Sequence, residues 1–330
     1  MTKNEAKPRL YDILAKAFAQ EDVRTCFALL GDANMNWAAR LSEQGCRMVY
    51  VRHEHCALAA AMAYARKSAD VGVATVTCGP GVTQLVTALP AAVRAHLPLV
   101  VFAGEAPLKS GWYNQEIDQA PLITATGAAY HRLHMPARMP VAIRDAFLQA
   151  RRERRPVVIG VPFDLQGLPW DGPTDLPGPS HKLLPRPSPI LPHPDDVVSA
   201  AKLFAGAERV VVLAGLGAVE AGAGAACRAL AAKTGGLLST TLPARGLFHD
   251  DPFCIGISGS FTPELASNTW RRPTSSSPSA ARSLTTRAAA ASSGRRRRCC
   301  RSISIPSRST RGRRWRVITC EPTRAWASRR

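Results

Sequence analysis

Val71-Gly72-Val73-Ala74-Thr75-Val76-Thr77-Cys78-Gly79-Pro80-Gly81 decides the fold. The segment from Val71 to Thr77 is β-branched and almost uncharged, as a strand buried on both faces requires. It stops at Gly79-Pro80-Gly81, and a helix over Val82–Ala95 is predicted after it. Downstream, Pro98–Ala103 reads as another buried strand, Val141–Arg151 as a helix, and Pro156–Val161 as a last strand. Upstream, Leu10, Ile13, Leu14, Ala17 and Phe18 recur at helical spacing behind Pro8. Thr25–Leu30 and Arg47–Val51 read as strands, and an alanine-rich helix runs from His55 to Arg66. Apolar strands alternating with helices imply an α/β fold, a parallel sheet flanked by helices on both faces.

The pattern then changes twice. Residues 169–194 hold nine prolines with several Gly and Ser, and read as an extended linker. A second α/β unit follows Asp195: a strand over Arg209–Ala214, a turn at Gly215-Leu216-Gly217, a helix over Ala218–Lys233 and a strand over Gly236–Thr241. It reads as an incomplete Rossmann-like unit, because both periodicities stop near Trp270. The expected domains are therefore 1–168, a linker at 169–194, a partial domain at 195–270 and a tail at 271–330.

Charge separates the tail from the rest. The 330 residues carry 43 Lys and Arg against 24 Asp and Glu, a net +19. Residues 271–330 hold 17 Arg, no Lys and one acid, Glu321, so the remainder is nearly neutral. Ser and Arg dominate the tail, which offers too little apolar surface to offset chain entropy, and disorder is expected. An arginine run binds phosphate nonspecifically. No aromatic interleaving accompanies it, so a solvated tail is the preferred reading over a nucleic-acid partner. No run of 18 apolar residues exists, which excludes a spanning helix and a membrane partner of that kind. The first residues lack the apolar core of a secretory signal. Nine cysteines without a Cys-x-x-Cys pair suit a reduced, cytoplasmic compartment and not a zinc site.

Three strand ends carry candidate chemistry. Glu54 lies where a strand gives way to a helix, and ligands of parallel sheets sit outside the carboxyl ends of strands. A partly desolvated carboxylate there exchanges a proton with a ligand; the alternative is a first-turn acid complementing the helix dipole. Gly79-Pro80-Gly81 ends a second strand, where small residues admit a ligand and a helix N-terminus offers free N–H donors; the alternative is a tight turn. Gly31-Asp32-Ala33-Asn34 ends a third strand in the same way. His53-Glu54-His55 has the wrong spacing for the H-E-x-x-H metal motif. Gly215-Leu216-Gly217 lacks the third glycine of a dinucleotide signature, and packing accounts for it.

Taken together, these residues resemble the N-terminal half of thiamine-diphosphate-dependent enzymes of the acetolactate synthase, benzoylformate decarboxylase and pyruvate decarboxylase superfamily. The resemblance rests on Val51-Arg52-His53-Glu54 with its helix through Tyr64-Ala65-Arg66, then Thr77-Cys78-Gly79-Pro80-Gly81-Val82-Thr83. Pro98–Glu105, Asn114-Gln115-Glu116-Ile117-Asp118 and Pro156–Pro162 follow in family order and spacing. Residues 195–265 are similar to the start of the central domain. The resemblance implies that 1–168 binds the pyrimidine of thiamine diphosphate. It implies that Glu54 hydrogen-bonds the aminopyrimidine nitrogen, favouring the imino tautomer that deprotonates the thiazolium carbon. It places Gly79, Pro80 and Gly81 beside the pyrimidine, Gly31 on the strand end next to it, and Gln115 near the substrate. The implied parent activity is decarboxylation or carboligation of a 2-oxo acid, in an active site shared between the domains of two subunits. The implied assembly is a homo-oligomer, or pairing with a complete homologue through the N-terminal domain.

The chain departs from the pattern at Gly31-Asp32-Ala33-Asn34, where Gly-x-Pro-Gly is usual, and at Gln84, where many members have Asn. It contains no Gly-Asp-Gly and no Asn-Asn, the signatures of the domain that holds magnesium and diphosphate. The expectation is half a cofactor site, no metal residues, and a chain inactive alone; flavin adenine dinucleotide in the central domain is left open. The abrupt change near residue 270 suggests a lost reading frame. With one choice of codons, Ser302–Ser307 reads Asp-Leu-Asp-Pro-Val in another frame, a string like one found late in the central domain. A noncatalytic interaction protein, pairing through 1–168 or binding nucleic acid through the tail, is the competing expectation.

Overall fold

A computed structural model describes residues 7–68, 70–184 and 191–271, together with 283–287, 301–303 and 316–319. The chain divides into two compact units, 1–185 and 186–330.

The first unit holds β1 (Thr25–Ala28), β2 (Arg47–Tyr50), β3 (Gly72–Val76), β4 (Leu99–Glu105), β5 (Ala129–Arg132) and β6 (Pro156–Pro162). They form one sheet in the order β2-β1-β3-β4-β6-β5, and every pairing is parallel. Period-two alternation sends neighbouring residues to opposite faces. Val73, Val100, Phe102, Val157 and Ile159 face one core, with the helices Leu10–Gln20, Met35–Glu43 and Met139–Glu153. Ala74, Val76, Leu99, Val101 and Val158 face the other, with Glu54–Ser68 and Ala88–Arg94. The first core is aromatic: Trp37 stacks on Phe102 at 4.0 Å between centroids, and Phe18 meets both edge-on. Each such buried side chain contributes about 1.5–3 kcal/mol. The second core is built for closeness. A Cβ on Gly72 would lie 2.3 Å from the Ala61 carbonyl oxygen, so the alanine-rich helix needs a glycine beneath it.

Three local differences from the sequence reading have physical causes. The edge strand β5 was not anticipated; Ala-Tyr-His-Arg is short, and only Ala129 in it is buried. The helix predicted over Val82–Ala95 is two pieces, Pro80–Thr83 and Ala88–Arg94, separated by a turn. The proline-rich stretch packs in part on the first unit. Trp170 and Leu176 join the aromatic core, Trp170 N–H donates to the Pro8 carbonyl (2.8 Å), and Leu10 N–H donates to the Leu168 carbonyl (2.9 Å). Proline content marks extended backbone, but two large apolar side chains suffice to dock it.

The second unit has β7 (Arg209–Ala214), β8 (Leu237–Thr240) and β9 (Cys254–Ile257), paired in parallel around Val210, Val212, Leu238 and Phe248. The helix predicted over Ala218–Lys233 breaks into Leu216–Glu220 and Gly224–Thr234 at Gly222, whose φ is +64°. Within the segment read as disordered, β10 (Ser283–Arg287), β11 (Arg301–Ile303) and β12 (Arg316–Thr319) extend this sheet in the order β11-β12-β10-β7-β8-β9. Their Thr285-Thr286 and Val317-Ile318 have the β-branched character strands favour. The rest of 272–330 lies outside the described residues. No helix among the described residues is long and apolar enough to cross a membrane.

Candidate functional site

Strand order in the first sheet reverses at β1, which continues to β2 on one side and has β3 on the other. The carboxyl ends of adjacent strands at such a switch point open a crevice. Gly31 follows β1, Glu54 follows β2, and Thr77 to Gly81 follow β3, so the sequence-predicted residues come to one place.

Asn34 ties this crevice together. It is fully buried; its Oδ1 accepts from the Gly31 amide (2.8 Å), and its Nδ2 donates to the Leu29 carbonyl and to Thr75 Oγ1 (3.0 Å each). Thr75 Oγ1 in turn donates to the Phe102 carbonyl on β4 (2.9 Å). The departure at residues 31–34 thus carries its own lock, one side chain tying the end of β1 to β3 and, through Thr75, to β4.

Glycines set the contacts. A Cβ on Gly31 would lie 2.7 Å from Thr77 Cβ. A Cβ on Gly81 would lie 3.0 Å from Thr77 Cγ2 and 3.4 Å from Glu54 Oε1. Thr77 therefore lies against both Gly31 and Gly81, and Gly81 lies against Glu54. Thr77 Oγ1 is buried with no hydrogen-bond partner among the described residues. Such a group costs about 1–3 kcal/mol unless something satisfies it. Glu54 opens the helix Glu54–Ser68 and is half-buried, and no hydrogen bond or ion pair among the described residues uses its carboxylate. Its neighbours occupy themselves: His53 Nδ1 accepts from the His55 amide (3.1 Å). No cluster of three His, Cys, Asp or Glu suited to a metal occurs among the described residues.

The turn at Gly79 corrects one expectation. Its amides are not free: Gly79 N–H donates to Gln119 Oε1 (2.8 Å), Gly81 N–H to the Cys78 carbonyl, and Val82 and Thr83 N–H to the Gly79 carbonyl. Pro80 has none to offer. This turn therefore offers no free amide donors to an anion. Gly79 adopts φ +58°, ψ −113°, and a Cβ there would collide with the Gln115 carbonyl oxygen at 1.9 Å. Gln115 Oε1 accepts from Cys78 Sγ and from Tyr113 Oη, each at 3.4 Å. Burial pushes the Cys78 thiol up, so it remains a neutral donor.

Sequence reasoning missed the supports: Asn34 as the lock, Thr77 as the orphan, and Gln119 behind Gly79. Asp118 was a legible signal, since its side chain caps the helix Gln119–Thr124. Gly215 opens the short helix Leu216–Glu220 after β7.

Comparison with known proteins identifies the family of both units. Residues 8–122 match the family described as thiamine pyrophosphate enzyme, N-terminal TPP binding domain, and 197–272 match its central domain. A probable acetolactate synthase large subunit of Methanocaldococcus jannaschii is 33% identical over 256 residues, covering 75% of this chain and 43% of the relative. Acetolactate synthase 2 of Zea mays is 31% identical over 258 residues, covering 75% and 39%. A probable 2-ketoarginine decarboxylase of Pseudomonas aeruginosa is 32% identical over 257 residues, covering 74% and 44%. The chain spans about two fifths of the length of these curated relatives. By its N-terminal and central domains, this chain belongs to the thiamine-diphosphate-dependent enzyme superfamily.

Proposed function

We propose that residues 1–168 hold the aminopyrimidine ring of thiamine diphosphate, with 195–270 as the accompanying central domain, and that the parent activity is decarboxylation or carboligation of a 2-oxo acid. The observation that carries this is the Glu54 carboxylate, without a partner among the described residues, against Gly81 and beside the orphaned Thr77 hydroxyl. Both polar groups await a flat, hydrogen-bonding ligand, and Gly79, Pro80 and Gly81 supply a surface for it. Glu54 holds a proton at a ring nitrogen. Gly31 lets the β1 end approach Thr77 at the floor of the crevice, and Gln115 stands toward the substrate. The cofactor supplies an electron sink for the pair left when carbon dioxide departs.

The 330 residues contain neither Gly-Asp-Gly nor Asn-Asn, so we place the diphosphate and magnesium on residues supplied from outside this sequence. Alone, the chain binds the pyrimidine and turns over no 2-oxo acid. Pairing with a second subunit at the strand ends is favoured by the exposed Tyr50, Trp112 and Ile117. A reducing cytoplasm suits the cysteines, since all six described are free. A lost frame near residue 270 accounts for the arginine-rich segment, and resequencing the gene across that codon tests it.

Titration of thiamine into wild type and Glu54→Gln tests the site. Expected is binding weakened at least tenfold by Glu54→Gln, with the melting temperature unchanged. Binding indifferent to Glu54, or 2-oxo acid turnover by the isolated chain that disappears with Glu54→Gln, overturns the pyrimidine reading or the inactivity, respectively.

A further inference from the structure

Behind the Gly79 turn runs a chain of side-chain hydrogen bonds that reaches β4 and β5. Gly79 N–H donates to Gln119 Oε1 at 2.8 Å. Gln119 Nε2 donates to the Gly104 carbonyl at 3.1 Å and to Tyr130 Oη at 2.8 Å. Tyr130 O–H donates to Glu105 Oε1 at 2.5 Å, and Glu105 Oε2 faces His134 Nε2 at 2.5 Å.

The direction of each link from Gly79 to Glu105 is fixed. A backbone N–H only donates and a backbone carbonyl only accepts, so the Gln119 amide has one orientation. Tyr130 Oη accepts from it and must pass its own proton toward Glu105. Burial and the neighbouring carboxylate raise the Tyr130 pKa, which keeps that proton in place. Gln119 is only 3% exposed, so no solvent competes for its amide. Its place is set from outside as well: Asp118, ion-paired with Arg132, caps the helix that Gln119 begins.

We infer that Gln119 is a positioning residue for the cofactor turn: by holding the Gly79 amide, it sets the unusual backbone that lays Gly81 against Glu54. The inference rests on the pyrimidine reading above. Without the Gln119 acceptor, Gly79 has no fixed partner, and the Pro80-Gly81 surface is free to drift from the carboxylate it faces.

The test uses the full chain and thiamine as the probe. Gln119→Met keeps length and removes the acceptor; Gln119→Asn keeps the amide but stops one carbon short of Gly79 and serves if the first variant does not fold. Expected is thiamine binding weakened about tenfold, an altered amide shift for Gly79, and amide hydrogen exchange at Gly79 at least tenfold faster. Tyr130→Phe, which leaves Gln119 its two backbone bonds, should weaken binding about threefold or less. Glu21→Ala, at the opposite end of the sheet, strands the Ser180 donors, is the control for lost stability and should leave binding unchanged. Thiamine affinity within twofold of wild type in a folded Gln119 variant overturns the inference. Should wild type itself not bind thiamine, the pyrimidine reading fails, and Gly79 exchange alone judges the inference: unchanged exchange refutes it.

Discussion

Glu21 and Glu54 lie at opposite ends of the first sheet, and their surroundings are inverted. Glu21, on the chain entering β1, is 4% exposed. Its two oxygens accept from the Ser180 amide (2.7 Å) and the Ser180 hydroxyl (2.6 Å), and Arg151 stands 3.9 Å away. Glu54, on the chain leaving β2, is half-buried, and no hydrogen bond among the described residues engages it. One carboxylate is consumed in docking the 169–184 segment; the other is left over. A satisfied acid at the amino ends of strands builds the fold, and an unsatisfied one at the carboxyl ends is the group the proposed ligand role assigns to Glu54.

The comparison breaks most visibly at Gly79. Gly79→Ala forces a Cβ onto the Gln115 carbonyl in a left-handed backbone, and should cost about 3 kcal/mol or more in urea unfolding. A smaller loss would mean that the turn yields easily. Glu21→Ala comes next. It strands the buried Ser180 donors and should cost about 2 kcal/mol in the same measurement. Thr77→Val has the opposite sign. Removing an orphaned hydroxyl at constant shape should stabilise the free protein by about 1 kcal/mol while weakening thiamine binding. A destabilised Thr77→Val would show the hydroxyl already paired. The smallest effect is a pH dependence. Burial raises the Glu21 pKa, outweighing the Ser180 bonds that lower it. The proton-linked stability from Glu21 is fully present below the ordinary glutamate value and is lost as pH rises through the raised folded value. Wild type should therefore lose stability relative to Glu21→Gln over that window, and parallel denaturation curves across it would contradict the shift.

Much of this site was legible because its chemistry is local. Gly31, Glu54 and Gly79 each end an apolar strand, and a parallel sheet gathers such ends without further instruction. What stayed hidden is what the sheet brings together from afar. Gln119, Tyr130 and Glu105 meet because β5 pairs beyond β6, and β5 is too short and polar to announce itself. Asn34 reads as a loop residue until its partners on β3 are known. Trp170 and Leu176 were masked by the prolines around them; composition reports backbone preference and is silent on where two large side chains find a surface. The amides of the Gly79 turn were misread for a similar reason. Its glycines signal close approach correctly, but whether its amides are free depends on a glutamine forty positions away.

The antiparallel bridge between Arg9 and Pro169 has a mechanical consequence. Its flanking bonds, Trp170 to Pro8 and Leu10 to Leu168, lie in a row with both outgoing chains on one side. Tension between residues 7 and 184 therefore peels this clasp one bond at a time instead of shearing it. The three pairings part in sequence, after the Leu176 and Ser180 contacts that stand between them and residue 184 have given way.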